Sequence, residues 1–269
     1  MAFLLTIIFF LFSWLLGLSF LKIFKPQLEK YQEYLIAPII GACLMILPVY
    51  MLNIVGFSIN EISFQLTIIF STFILLVYFI DKPEYIIDIS KNVALILLFS
   101  LLVVGYPILI FGFDWVSFGN DDMANYSLAT QRLQNYGLHA VPDLDNLMNG
   151  GDRGAYYWFM HSVMGHRVGS EILLAYTASV TGLNVHQVFM PTILYLHLCL
   201  ISASAALVAR GSESNRQIYL FMLLVSLSPL LMLGAVYQLI AQVGGMAILM
   251  TAIVLLVRDQ SSFSLKQKV

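Results

Sequence analysis

The sequence predicts an all-α, polytopic transmembrane helix bundle of about seven spans, with one large extracytoplasmic loop bearing interfacial helices. Three observations predict it. The chain is 60% hydrophobic and 10% charged, with mean hydropathy +0.87. A soluble domain carries about 25% charged residues, so the solvent around most of this surface is lipid. Runs of about 20 apolar residues recur along the chain, each long enough to cross the hydrocarbon core of a bilayer. Connections with and without Lys or Arg alternate, as expected of a chain threaded back and forth across a membrane.

The first apolar run, residues 2–23, is followed rather than preceded by its lysines, Lys22 and Lys25. A secretory signal carries its positive charge in front of the apolar stretch. The run is therefore read as a permanent span whose C-terminal end faces the cytoplasm. Further spans are expected at 35–56, 62–80 and 92–113. Hydropathy then falls across 114–186, and spans resume at 187–209, 217–235 and 239–257. Pro38, Pro48, Pro107, Pro191 and Pro229 fall inside these spans, and lipid-embedded helices tolerate proline better than soluble ones do. Residues 170–185 are apolar but interrupted by Ser170, Glu171, Thr177 and Asn184. At about 16 residues they are short of the roughly 20 a span needs. They are read as a helix that lies in the interface or re-enters, starting and ending on one side.

Orientation follows from the basic residues. Lys22, Lys25 and Lys30 mark the first connection, Lys82 and Lys91 the third, Arg210 and Arg216 a later one, and Arg258, Lys266 and Lys268 the tail. Residues 57–61 and 236–238 carry no Lys or Arg. The expected topology has the N-terminus and the 114–186 loop outside and the tail inside, in a cell membrane, the inner membrane of a bacterium. The partner is the lipid bilayer itself. A net charge of −2 without a basic block makes nucleic acid no partner. Cys43 and Cys199 both lie in apolar runs and read as small core residues rather than metal thiolates or a disulfide. No internal repeat, phosphate-binding Gly-rich loop or dinucleotide fingerprint is present.

The loop concentrates the chemistry. It holds Asp114, Asp121, Asp122, Asp143, Asp145, Asp152 and Glu171, nearly half of the chain's 15 acids, against Arg132, Arg153 and Arg167. The stretch GNDDMANYSLATQRLQNYG predicts an amphipathic surface helix capped by Asn120 or Asp121 and stopped at Gly137. Asp122, Tyr126, Ala129, Leu133 and Tyr136 share one face, with Asp121, Asn125, Leu128 and Arg132 on the next. One of Asp121 and Asp122 is accounted for by capping. The pair could also hold a divalent cation such as Mg or Mn, since hard cations prefer carboxylate oxygen, or one could take a proton from a hydroxyl. Arg153 and Arg167 are candidate phosphate contacts, because guanidinium grips phosphate through parallel bonds. Their bland alternative is pairing with Asp152 and Glu171. His161 and His166 have the wrong spacing for two zinc ligands on one helical face; with His139 they are candidate contacts to a phosphate or an acceptor. Tyr126 and Glu171 complete the candidate substrate-binding set. Tyr156, Tyr157, Trp158 and Phe159 read as an interfacial belt, or alternatively as a sugar or isoprenoid platform.

This order resembles the first catalytic loop of the GT-C superfamily of membrane glycosyltransferases: a helix leaving the cytoplasm, an early Asp121-Asp122, a surface helix with Tyr126 and Ala129, Gly137, Pro142, then Arg167, Gly169 and Glu171 before an apolar stretch. The resemblance covers about 92–257. It implies transfer of a sugar from a polyprenyl-phosphate-linked donor at the outer face. Asp121 or Asp122 matches the family's catalytic acid, and Arg153 or Arg167 a donor-phosphate contact. Members usually have more helices after the loop, so the chain is expected to be an N-terminal portion of a longer enzyme or a reduced relative. Two rival readings follow from the residues alone. A transporter or flippase would need charged groups mid-span, where only His197 is a candidate. A non-catalytic assembly subunit would use the loop as a docking surface.

Overall fold

The computed structural model describes residues 1–26, 28–80, 91–116, 121–209 and 214–256. Asn120, Lys82, Arg210 and the tail bearing Arg258, Lys266 and Lys268 lie outside the described residues. The described residues form helices and no strand: α1 (Ala2–Phe24), α2 (Lys30–Val55), α3 (Ile59–Ile80), α4 (Lys91–Val104), α5 (Tyr106–Phe111), α6 (Asp122–Asn135), α7 (Leu144–Met148), α8 (Ala155–Trp158), α9 (Gly169–Thr181), α10 (Val185–Ala209), α11 (Asn215–Ser226), α12 (Pro229–Val236) and α13 (Ile240–Leu256).

Four of these helices, α1, most of α2, α3 and α10, are long and apolar enough to cross a membrane. The number rises to six if each of two bent pairs is one span. The expected spans at 92–113 and 217–235 are these pairs. The first bends by 71° between α4 and the segment that starts α5, the second by 50° between α11 and α12. Pro107 and Pro229 sit just after the breaks, in the first turn of α5 and α12. A proline there lacks the N–H that would continue the previous helix. Tolerance of proline is thus uneven: Pro38, Pro48 and Pro191 stay inside continuous helices. Pro38 removes the N–H that would bond to the Tyr34 carbonyl, and the Trp14 indole of α1 donates to that carbonyl instead, at 3.1 Å. The expected span at 239–257 is α13, 17 residues long.

α10 is buried along nearly its whole length and packs against α1, α2, α4, α9, α11 and α13. α3 shows the opposite pattern. Ile59, Ile62, Ser63, Leu66 and Phe70 form a buried stripe at helical spacing, while Phe64, Ile68, Ile69, Leu75 and Leu76 are exposed. An apolar residue on the outer face of such a helix has lipid as its natural neighbour. α1 and α2 meet through glycines. A Cβ on Gly17 would lie 1.9 Å from the Ala37 carbonyl oxygen, and one on Gly41 1.8 Å from that of Ser13. Small residues four apart let two backbones approach this closely.

The segment expected to lie in the interface, 170–185, is α9. It is helical and short, about 20 Å at 1.5 Å per residue, and ends at Gly182 with φ +68°. It is not a surface helix, however: residues 171–178 are all buried, against α2, α3, α6, α10 and α13. Its apolar residues serve the core of the bundle.

Candidate functional site

α6 forms where the Asp121–Gly137 pattern predicted it and ends at Asn135, with Tyr136 already extended. Asp121 occupies the N-cap position, but its side chain makes no capping bond. The helix is fixed from elsewhere at both ends. Gln238, buried in the α12–α13 turn at φ +65°, accepts the Met123 N–H through its Oε1 at 3.1 Å. Asn53, buried at the end of α2, donates from Nδ2 to the Tyr136 carbonyl at 3.1 Å, and Leu138 N–H donates to the Asn53 carbonyl at 3.0 Å. Free amides at a helix start and free carbonyls at its end need such partners. Nothing in the local sequence names them, since they lie 115 and 83 residues away.

Helical spacing puts Arg132 on one stripe with Asp121, Asn125 and Leu128, and says nothing of its burial. Arg132 is buried and pairs with Asp152, also buried, while donating to the Ala140 carbonyl. Asp152 is therefore bound to Arg132, and Arg153 stands exposed in the turn. This pair ties the 140–154 segment to α6.

A cavity of about 210 Å³ opens beside the start of α6. α6 contributes Asp122, Asn125 and Tyr126; α8 and the turn after it contribute Tyr157, Met160 and His161; His166, Arg167 and Glu171 close it. Six candidate residues thus come together: Asp122, Tyr126, His161, His166, Arg167 and Glu171. Asp121 and Arg153 are both exposed, and neither lines the cavity. Residues 159–163 form a single π-helical turn, the wider turn that recurs at functional sites. Ser162 in that turn donates to the Leu138 carbonyl at 2.6 Å. The π turn carries His161, whose Nε2 lies 3.8 Å from Glu171 Oε1, both side chains being buried. Glu171 Oε2 is buried without a hydrogen-bond partner. Tyr157, read from the sequence as part of an interfacial belt or a sugar or isoprenoid platform, donates its hydroxyl to Asn125 Oδ1 at 2.8 Å across the cavity wall, and Asn125, read only as part of a helix stripe, joins the pocket with it.

Burial, followed by the nearby Glu171 charge, pushes the Tyr126 phenol above its ordinary range, and a hydrogen bond from Arg167 opposes this. Tyr157 is likewise raised by burial, then by Tyr156 and Glu171. Both stay neutral phenols at physiological pH, able to donate as well as accept. The arrangement can hold a polyhydroxylated ligand, take a proton at a carboxylate and stabilise an anion at Arg167. Among the described residues no group of three or more His, Cys, Asp or Glu is placed to hold a metal ion, and Asp121 and Asp122 have different surroundings.

A second, apolar cavity of about 420 Å³ runs between α2, α9, α10 and α13. Gly169, Gly244 and Gly245 leave the space, and Ala42, Leu173 and Leu196 wall it. Arg167 lines this groove as well as the polar pocket.

Fold and site together define an all-helical chain with membrane-spanning character, carrying a polar, carboxylate-bearing pocket beside an apolar groove. Comparison with protein-family models, curated proteins and solved structures finds no match to this chain.

Proposed function

We propose that the chain is a GT-C-type membrane glycosyltransferase, or the N-terminal portion of one, acting at the extracytoplasmic face of a cell membrane on a polyprenyl-phosphate-linked sugar. The observation that carries this reading is the shared residue Arg167, the junction between an apolar groove and a pocket with two carboxylates. An amphiphile whose phosphate separates a hydrocarbon tail from a sugar has the same order. In this reading the tail lies in the groove and the phosphate meets Arg167. The sugar lies among Asn125, Tyr126, Tyr157, His161 and His166. Asp122 takes the proton of the acceptor hydroxyl as its oxygen attacks the anomeric carbon, and the bond to phosphate breaks with its electron pair leaving on the phosphate oxygen. Seven spans, the 114–186 region outside and the tail inside fit the basic residues.

The test uses Asp→Asn changes, which keep shape and capping ability while removing charge and basicity. Asp122→Asn abolishes transfer of sugar to lipid-linked or cell-surface glycans, with normal accumulation and membrane insertion. Asp121→Asn, exposed and outside the pocket, is nearly silent. Wild-type transfer in the double variant removes the case for this reading.

A further inference from the structure

Glu171 lines the pocket and has no role in the transfer step described above. It is buried, at 6% exposure. Sequence spacing offered Arg167 as its partner. Arg167 instead donates to the Tyr126 phenol, and Glu171 Oε1 faces His161 Nε2 at 3.8 Å, beyond hydrogen-bond length. The other oxygen, Oε2, is buried without a hydrogen-bond partner. A carboxylate oxygen so placed costs free energy until a donor reaches it. His161 supplies the balancing positive charge when protonated, so Oε2 calls for a hydrogen-bond donor rather than a further cation. The groups around it narrow the kind of donor. Tyr126, Tyr157, Asn125 and His166 line the same pocket, with the Tyr157 hydroxyl on Asn125 Oδ1 at 2.8 Å. Phenols, amides and imidazoles both donate and accept. A hydroxyl does the same, whereas an ammonium only donates.

We propose that Glu171 is the specificity-determining residue of this pocket, accepting a hydrogen bond at Oε2 from a headgroup hydroxyl, so that groove and pocket together select polyhydroxylated lipid phosphates. The inference rests on the proposed reading for placing a phosphate at Arg167 and a tail in the groove. It adds the group that tells a hydroxylated headgroup from one without hydroxyls. The shared chemistry is a hydroxyl a short distance beyond a phosphate. The apolar groove selects the lipid-anchored form over the free phosphate ester.

The purified full chain, in lauryldimethylamine oxide because that detergent has no hydroxyls, is titrated by native mass spectrometry with phosphatidylglycerol, phosphatidylmethanol and free glycerol phosphate. The two lipids carry the same charge and chains and differ in the headgroup hydroxyls. Phosphatidylglycerol is expected to bind about tenfold tighter, a ratio worth about 1.4 kcal/mol and at the lower edge of what a hydrogen bond to a charged group contributes. Glu171→Gln keeps the shape and removes the charge. A neutral acceptor bonds about half as strongly, which takes the ratio to roughly threefold, with phosphatidylmethanol binding unchanged. Gly245→Trp, where a Cβ meets nothing within 4 Å, fills the groove, weakens both lipids and leaves their ratio. Free glycerol phosphate binds far more weakly than the lipid. Equal affinity of wild type for the two lipids, an undiminished ratio in Glu171→Gln, or free glycerol phosphate binding as tightly as the lipid overturns the proposal. Should Glu171→Gln fail to accumulate, the wild-type comparison decides alone. The hydroxyl preference in a chain that transfers no sugar upholds the proposal and removes the transferase reading. Sugar transfer by a wild type without the preference overturns the proposal and leaves that reading standing.

Discussion

At the scale of single residues, the buried Arg132–Asp152 pair is the strongest commitment in the loop. Both side chains are almost fully buried, at 3% and 5% exposure. Removing one partner of a buried pair leaves an uncompensated charge and costs about 3–5 kcal/mol, whereas replacing both with apolar groups is often neutral. Arg132→Met should therefore lower the thermal unfolding midpoint sharply, and Arg132→Met combined with Asp152→Leu should recover most of it. A single variant as stable as wild type would show that the pair carries no weight. The residue types in this loop were legible, but their pairings were not. Asp152 is one residue from Arg153 in sequence, yet Gly154 sets the turn against Arg132 Cβ and the Leu128 carbonyl, and so Arg132 becomes its partner. In the same way, the acids, histidines and arginines of the pocket stood out as polar residues in an apolar chain, while the contact of His161 with Glu171 depended on a π turn that has no sequence signature.

At the scale of elements, α6 is positioned by amides from outside its own sequence. Gln238→Leu leaves the Met123 N–H without its acceptor, and Asn53→Leu frees the Tyr136 carbonyl. Each unmet buried group costs about 1–3 kcal/mol. Faster amide hydrogen exchange is expected at the N-terminal turn of α6 in the first variant and at its C-terminal turn in the second. Unchanged protection at both ends would mean that packing alone holds the helix. The α1–α2 crossing makes a different demand. Gly17→Leu or Gly41→Leu has to push the backbones apart, because the obstacle is a carbonyl rather than a flexible side chain. Both should abolish accumulation of folded protein, while Gly245→Leu, with open space beside it, should not. The four long apolar helices were readable as runs of about 20 residues, since lipid demands that composition everywhere along a span. The breaks after α4 and α11 were less readable. Pro107 and Pro229 resemble the three tolerated prolines in sequence, and only tertiary context, such as the Trp14 bond to Tyr34, separates the two groups.

At the scale of the whole molecule, the proposed topology and the proposed site stand together, because the reading places the pocket on the extracytoplasmic side, where the lipid-linked donor is proposed to be used. A cysteine at Asn146 should react with an impermeant thiol reagent in intact cells, and one at Ser214 only after the membrane is opened. Labelling of both from outside would require residues 170–185 to cross the membrane, against the buried, 13-residue α9. The central claim is that the groove and the pocket form one site joined at Arg167. Its most direct measurement compares sugar transfer from a long-chain polyprenyl-phosphate donor and from a short-chain analogue with the same headgroup, in wild type, Gly245→Trp and Arg167→Gln. The account predicts that wild type strongly prefers the long-chain donor. Gly245→Trp should lose that preference while still using the short-chain donor, and Arg167→Gln should lose activity with both. No transfer by wild type, or a long-chain preference undiminished in Gly245→Trp, would contradict it.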